Sequence, residues 1–199
     1  MRSHWETIYT TRPTGSLSWH QPTPTLSLDL IRQHAKPSSR ILDIGGGASS
    51  LAGVLADEGH HPTVLDISQA ALTHARHSLP ESMQNKITWL EADILTTHSL
   101  PPADLWHDRA LFHFLTAQQD RDHYAALAER TLPANGILII ATFALDGPDK
   151  CSNLPVQRHT PQSLAAQFRN FTLLESKAEN HQTPSGISQS FLYIVLRRN

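Results

Sequence analysis

The residues able to do chemistry first come together around a glycine cluster. Gly45, Gly46 and Gly47 follow the apolar run Ile41-Leu42-Asp43-Ile44 and precede apolar positions Leu51, Val54 and Leu55 at helical spacing. A strand that breaks on glycines and opens a helix sets bare backbone against a ligand. Taken alone, the same turn is equally a tight connection with no ligand. Asp66 ends a second apolar strand, with Ile67 beside it, where a carboxylate can accept from ribose hydroxyls. That placement suits a nicotinamide dinucleotide as well. Asp43 shifts the balance, because a carboxylate just before the glycines repels a pyrophosphate. It favours instead the ammonium and sulfonium charges of a ligand such as S-adenosylmethionine (AdoMet). The third glycine of the dinucleotide fingerprint would fall on Ser50.

Glu91-Ala92-Asp93-Ile94 follows a third strand at the carboxyl edge, where open α/β sheets bind ligands. Asp93 can accept from an adenine amino group while Ile94 packs on the ring; equally, it is a turn aspartate. Farther on, Trp106-His107-Asp108-Arg109 and His113 offer candidate proton acceptors in His107, Asp108 and His113, and an anion clamp in Arg109. Both histidines also read as packed side chains with one hydrogen bond, and Asp108 and Arg109 as partners of each other or contacts of the cofactor. Trp19 and Trp106 can offer an aromatic face to a sulfonium, worth about 0.5–2 kcal/mol, or pack in the core. Trp19 is the better placed for contact, since it lies in an irregular segment.

The elements that must hold these residues alternate as βαβ units do. A short helix is expected over residues 26–34, then strand and helix to Gly59, and a second strand over 62–66. Ser68 caps a helix over 69–78; strands follow at 87–90 and 104–107. Thr116 and Gln119 form a capping-box signature for a helix over 117–131. Asn135-Gly136 turns into the apolar strand from Ile137 to Phe143, and Thr160-Pro161 opens another helix. Segments 171–177 and 190–197 close the chain as a β-hairpin. The expected fold is a Rossmann-like, doubly wound sheet in a three-layer αβα domain spanning 1–199. Residues 1–25 form an irregular cap, and 144–160 is a loop that leaves the sheet's carboxyl edge over an acceptor pocket. On that loop, Cys151 is a candidate ligand for a soft element or a bland loop cysteine, and Arg158 a second anion clamp or an exposed arginine.

In order and spacing, Asp43-x-Gly45-x-Gly47, Asp66 and Ala92-Asp93 resemble the first three motifs of the class I AdoMet-dependent methyltransferases, over residues 40–145. The resemblance implies AdoMet as cofactor and a seven-stranded sheet with its last strand antiparallel. The segment 104–114 is similar to the family's fourth motif but lacks the Asn-Pro-Pro-Tyr type sequence that holds an amide or amine nitrogen. Its Asp108-Arg109-Ala110, with Trp5 and the Ser18-Trp19-His20-Gln21 stretch, resembles the thiopurine and tellurite methyltransferase-like group. That group implies a small acceptor, a thiol or chalcogen compound, and a cap formed by residues 1–25 over the cofactor bound by the core 40–145; His20, Arg109, Cys151 and Arg158 are the residues expected near the acceptor. A protein lysine methyltransferase is the alternative, and a cofactor-binding regulatory module without turnover a third reading.

Composition narrows the rest. The 199 residues, 39% hydrophobic and 17% charged, suit one soluble globular domain. A net charge of -2 with no basic run gives no field for nucleic acid or an anionic membrane. One cysteine and the absence of an apolar export or membrane segment fit a cytoplasmic protein. The 13 histidines show no metal-ligand spacing, so no metal is expected. Oligomeric state is not legible.

Overall fold

The computed structural model describes residues 1–199. A seven-stranded sheet is built from β1 (Arg40–Ile44), β2 (His61–Asp66), β3 (Thr88–Glu91), β4 (Leu105–Arg109), β5 (Ile137–Phe143), β8 (Phe171–Gln182) and β9 (Ser188–Arg198). The short strands β6 (Lys150–Cys151) and β7 (Leu154–Pro155) form a separate hairpin in the loop after β5. Strand order in the large sheet is β3-β2-β1-β4-β5-β9-β8. Strands β1 to β5 pair parallel, while β9 runs antiparallel to both β5 and β8. The expected sheet with its antiparallel last strand is therefore present. Order reverses between β1 and β4, which opens a crevice at their carboxyl ends.

The helices are α1 (Arg2–Thr11), α2 (Thr25–His34), α3 (Leu51–Asp57), α4 (Gln69–His77), α5 (Glu81–Gln84), α6 (Gln118–Thr131) and α7 (Pro161–Ala165). Alternate strand residues feed two separate cores, as a sheet covered on both sides requires. Ile139 and Ala141 of β5 join Ile31 of α2 and Leu55 of α3 on one face. Leu138 and Ile140 join Leu127 of α6 and Leu164 of α7 on the other.

Two local expectations need correction. Residues 1–25 are not irregular throughout: Arg2–Thr11 is helical, with Ile8 and Tyr9 buried. Trp5, Ile8 and Tyr9 lie at i, i+3 and i+4, the spacing of one helix face, and pack on α4 through Ala71. Glu6 anchors this contact by accepting from Ser68 Oγ at 2.7 Å and Ala70 N at 3.2 Å, a carboxylate at a helix N-terminus. The Thr116 capping box also fails to form. Helix α6 starts after Ala117 with no side-chain cap. Arg121 instead binds the Leu115 and Thr116 carbonyls, at 2.7 and 2.8 Å. The Thr160 cap does form, reciprocally with Ser163.

Candidate cofactor and active site

The crevice at the β1–β4 switch point divides into two adjoining cavities of about 60 and 70 Å³. The first is walled by Asp43, Gly45, Gly46, His107, Arg109, Trp19 and His20; the second by Trp5, Tyr9, Asp66, Ile67, Leu111, Phe114 and Cys151. Gly45, Trp19, Tyr9 and Arg109 border both.

The glycine turn is held open by its backbone. Gly45 and Gly47 have φ of +69° and +55°, which side-chain-bearing residues rarely adopt. A Cβ on Gly46 would lie 2.5 Å from Asp43 Oδ2, so this carboxylate needs a bare neighbour to face the cavity. Asp66 ties the same turn from the other side, its Oδ2 accepting from Gly47 N and its Oδ1 from Ser68 N, both at 2.9 Å. Burial pushes the Asp66 carboxyl up to about 6 despite these two bonds. Tyr9 reaches into the turn from α1, and its hydroxyl accepts from Trp19 Nε1 at 3.2 Å. The cap therefore touches the glycine turn directly. Two carboxylates, a turn free of side chains and aromatic walls suit a ligand with both cationic charge and ribose hydroxyls, which is the chemistry of AdoMet.

Strand β4 carries the remaining candidates, and its alternation separates them. Register places His107 opposite Asp43, and His107 Nδ1 lies 2.8 Å from Asp43 Oδ1. His107 Nε2 meets Ser27 Oγ of α2 at 2.9 Å. With both nitrogens engaged and the side chain buried, His107 borders the cavity as a braced residue, not as a free proton acceptor. Arg109 donates through Nε to Tyr193 OH at 3.0 Å, through Nη1 to the Trp19 carbonyl at 3.0 Å and through Nη2 to Glu179 at 3.3 Å. Its guanidinium also lies 4.4 Å above the Phe191 ring. The expected anion clamp thus joins the cap to the terminal hairpin, and its side chain borders both cavities.

Asp108 departs from the sequence expectation of a catalytic or cofactor contact. It points to the opposite face, wholly buried, and borders neither cavity. Its Oδ1 accepts from Leu111 N at 3.0 Å and Phe112 N at 3.3 Å, and its Oδ2 from Tyr124 OH at 2.6 Å. Desolvation holds its carboxyl up at about 6. These bonds fix the turn after β4, where Ala110 takes a left-handed φ of 69° and brings Leu111 to the second cavity. Trp106, a candidate sulfonium contact, shares this inward face and donates to Tyr124 OH at 2.7 Å. Trp19 is the tryptophan that reaches both cavities.

His113 is fully buried, with neither ring nitrogen hydrogen-bonded, and packs 4.7 Å from the Phe143 ring. Burial lowers its pKa to about 3, so at neutral pH it is uncharged and shut off from both cavities. Cys151 faces the second cavity, its thiol pushed up to about 12 by burial. Arg158 binds its own loop instead of an anion, donating to the Leu145 and Gly147 carbonyls at 2.9 and 3.0 Å. Ala92 and Asp93 lie beyond the cavity walls; Asp93 caps its own turn through Leu95 N at 2.9 Å, and Ile94 enters the core. No three His, Cys, Asp or Glu side chains converge as a metal site would require.

Sequence reasoning missed Tyr9, Ser27, Leu111, Phe114, Glu179 and Tyr193. The helical spacing of Trp5, Ile8 and Tyr9 could have exposed the first; the others depend on long-range packing.

Residues 41–136 match the family model described as a methyltransferase domain. No curated protein matches the chain. Among solved structures, one from work on the conversion of a disulfide bond into a thioacetal group during echinomycin biosynthesis is 19% identical with a TM-score of 0.77, covering 100% of this chain and 93% of that one. The 1,6-didemethyltoxoflavin-N1-methyltransferase of Burkholderia thailandensis, with 1,6-didemethyltoxoflavin and S-adenosylhomocysteine bound, is 18% identical with a TM-score of 0.77, covering 100% and 87%. A TehB-like SAM-dependent methyltransferase of Corynebacterium glutamicum is 16% identical with a TM-score of 0.69, covering 100% of both chains. At these identities the likeness is one of fold. With the glycine turn and the strand order in agreement, the chain carries a methyltransferase domain over residues 41–136, shares the fold of AdoMet-dependent methyltransferases and is an enzyme that uses AdoMet.

Proposed function

We propose that the enzyme methylates a small molecule whose acceptor atom needs no base from the protein, with thiol or chalcogen compounds as the favoured class. The observation that carries this reading is the second cavity's lining. It holds the aromatic rings of Trp5, Trp19 and Phe114, the Arg109 guanidinium and a neutral Cys151 thiol. Its one carboxylate, Asp66, is committed to the glycine turn through Gly47 N and Ser68 N, and no other base lines it. His107 is spent on Asp43 and Ser27, His113 is sealed in the core, and Asp108 faces away. A thiolate-type nucleophile needs little such help, whereas a neutral amine or hydroxyl does.

AdoMet would be held by Asp43 at its ammonium and by Asp66 at its ribose hydroxyls, against the side-chain-free turn Gly45–Gly47, and it supplies an electrophilic methyl when bound. The protein's task is then alignment and exclusion of water. Arg109 offers the acceptor's anionic charge a partner, and the aromatic walls take its apolar body. The fold relative that bears 1,6-didemethyltoxoflavin is compatible with a small acceptor, and nothing in the comparisons favours a protein lysine.

The test begins with calorimetric titration of AdoMet, S-adenosylhomocysteine and NADH. Micromolar binding of the first two and none of NADH is expected. The AdoMet-loaded enzyme is then given thiols, selenium and tellurium species, amines and phenols. Methylation confined to the amines or phenols would overturn the proposed acceptor class; binding of NADH in place of AdoMet would overturn the cofactor.

A further inference from the structure

A buried line of polar side chains runs from the terminal hairpin to the cofactor carboxylate. Arg109 Nε donates to Tyr193 OH at 3.0 Å; Tyr193 OH lies 3.4 Å from both Ser27 Oγ and Glu179 Oε2. Ser27 Oγ is 2.9 Å from His107 Nε2, and His107 Nδ1 is 2.8 Å from Asp43 Oδ1. The six members come from five elements: Arg109 and His107 from β4, Tyr193 from β9, Ser27 from α2, Asp43 from β1 and Glu179 from β8. Ser27, Asp43, His107 and Tyr193 are each at least nine-tenths buried.

The direction of the hydrogen bonds follows from which groups can only donate. A guanidinium has no acceptor, so Tyr193 oxygen receives its proton and turns its own hydrogen to Ser27 or Glu179. A carboxylate has no hydrogen to give, so at the other end His107 Nδ1–H donates to Asp43. Ser27, whose hydroxyl can rotate, completes the line by donating to Nε2. The imidazole is thereby held in one tautomer and one orientation. Asp43 Oδ1 is occupied, while Oδ2 takes no hydrogen bond from the protein and stands beside Gly46 on the cavity wall.

We infer that Ser27 and His107 are positioning residues for the amino-acid end of the cofactor: through Asp43 Oδ1 they aim Oδ2 at the ligand's ammonium. The inference rests on the reading that Asp43 receives that ammonium. A carboxylate free to rotate would lose its orientation toward the cavity. A braced one presents a fixed acceptor with no reorganisation on binding.

Two ligands that share adenosine and a neutral sulfur, but differ in the amino-acid end, separate positioning from general stability. S-adenosylhomocysteine has that end; 5′-methylthioadenosine lacks it. Calorimetry on the full chain should show S-adenosylhomocysteine affinity falling about tenfold in Ser27→Ala and in His107→Leu, with methylthioadenosine affinity within twofold of wild type. In His107→Asn, whose amide nitrogen can replace Nδ1–H, most of the loss should be recovered. Equal losses for both ligands, or no loss in either variant, would overturn the inference; so would His107→Asn behaving like His107→Leu. Asp43→Asn is the control for the underlying reading. If it weakens neither ligand, or both alike, Asp43 does not bind the ammonium. If it weakens S-adenosylhomocysteine alone while Ser27→Ala and His107→Leu do not, Asp43 keeps its role and the positioning is refuted. A circular-dichroism melt of each variant establishes that the protein titrated is folded, and Ser27→Ala, which removes one oxygen, keeps the test open if His107→Leu does not fold.

Discussion

The two faces of β4 carry similar residues to opposite ends. On one face, His107 and Arg109 meet Asp43, α2 and the hairpin, and both border the cavities. On the other, Trp106 and Asp108 meet Tyr124 of α6 and border none. Both faces are buried, polar and hydrogen-bonded, so burial alone does not distinguish them. Strand alternation does, since successive side chains point to opposite sides of a sheet. Asp43, which His107 meets on the cavity face, has an oxygen left for a ligand, whereas Asp108 spends both oxygens on a turn and a phenol. The same chemistry thus gives recognition on one side and rigidity on the other.

The largest effect that would test this division is on the inward face. Asp108→Ala strands two amides and the Tyr124 hydroxyl, and should cost on the order of 3 kcal/mol in urea unfolding. A loss below about 1 kcal/mol would mean that the turn after β4 does not depend on Asp108. Next comes acid sensitivity. His113 is about 6.5 unfolded and about 3 folded, so the unfolded chain binds its proton first as pH falls. Its stability contribution is complete above pH 6.5 and is lost toward pH 3. Asp66 and Asp108, raised from 3.8 to about 6, act oppositely: they favour the folded state as pH falls through that range. His159, lowered to about 4 by burial, adds to the His113 loss, so the comparison with one variant isolates His113: His113→Leu should gain about 2 kcal/mol on wild type between pH 7.5 and pH 5. A constant difference between the two proteins in urea titrations at both pH values would show that His113 is not buried uncharged. The smallest effect is Trp106→Phe, which removes the hydrogen bond to Tyr124. It should cost about 1 kcal/mol and leave AdoMet affinity unchanged; weaker AdoMet binding would place Trp106 at the site after all.

Much of the cofactor face was readable because it is local. Asp43, the glycines and Asp66 sit at strand ends, where backbone conformation demands particular residue types, and the glycine φ values of +69° and +55° bear this out. The fourth motif was harder, since a contiguous string hides alternation. Asp108-Arg109 looks like one functional pair but splits between two faces. Ser27 and Tyr193 were invisible, being ordinary residues given meaning only by register between strands and by helix α2. Arg158 and Asp93 lie on loops at the carboxyl edge, and from sequence each suits a ligand contact or a local role; in the structure Arg158 donates to the Leu145 and Gly147 carbonyls and Asp93 accepts from Leu95 N. In the cap, prolines and glycines downstream of Thr11 outweighed the apolar spacing of Trp5, Ile8 and Tyr9, so a helix was missed.

The division between the two faces is tested most directly by titrating AdoMet into Asp43→Asn and Asp108→Asn side by side, each first shown to be folded. Asp43→Asn should bind AdoMet about 10- to 100-fold more weakly, the loss of a charged hydrogen bond worth about 1.5–3 kcal/mol. Asp108→Asn should bind within about twofold of wild type while unfolding at lower urea. The reverse pattern, with affinity lost in Asp108→Asn and kept in Asp43→Asn, would contradict the account.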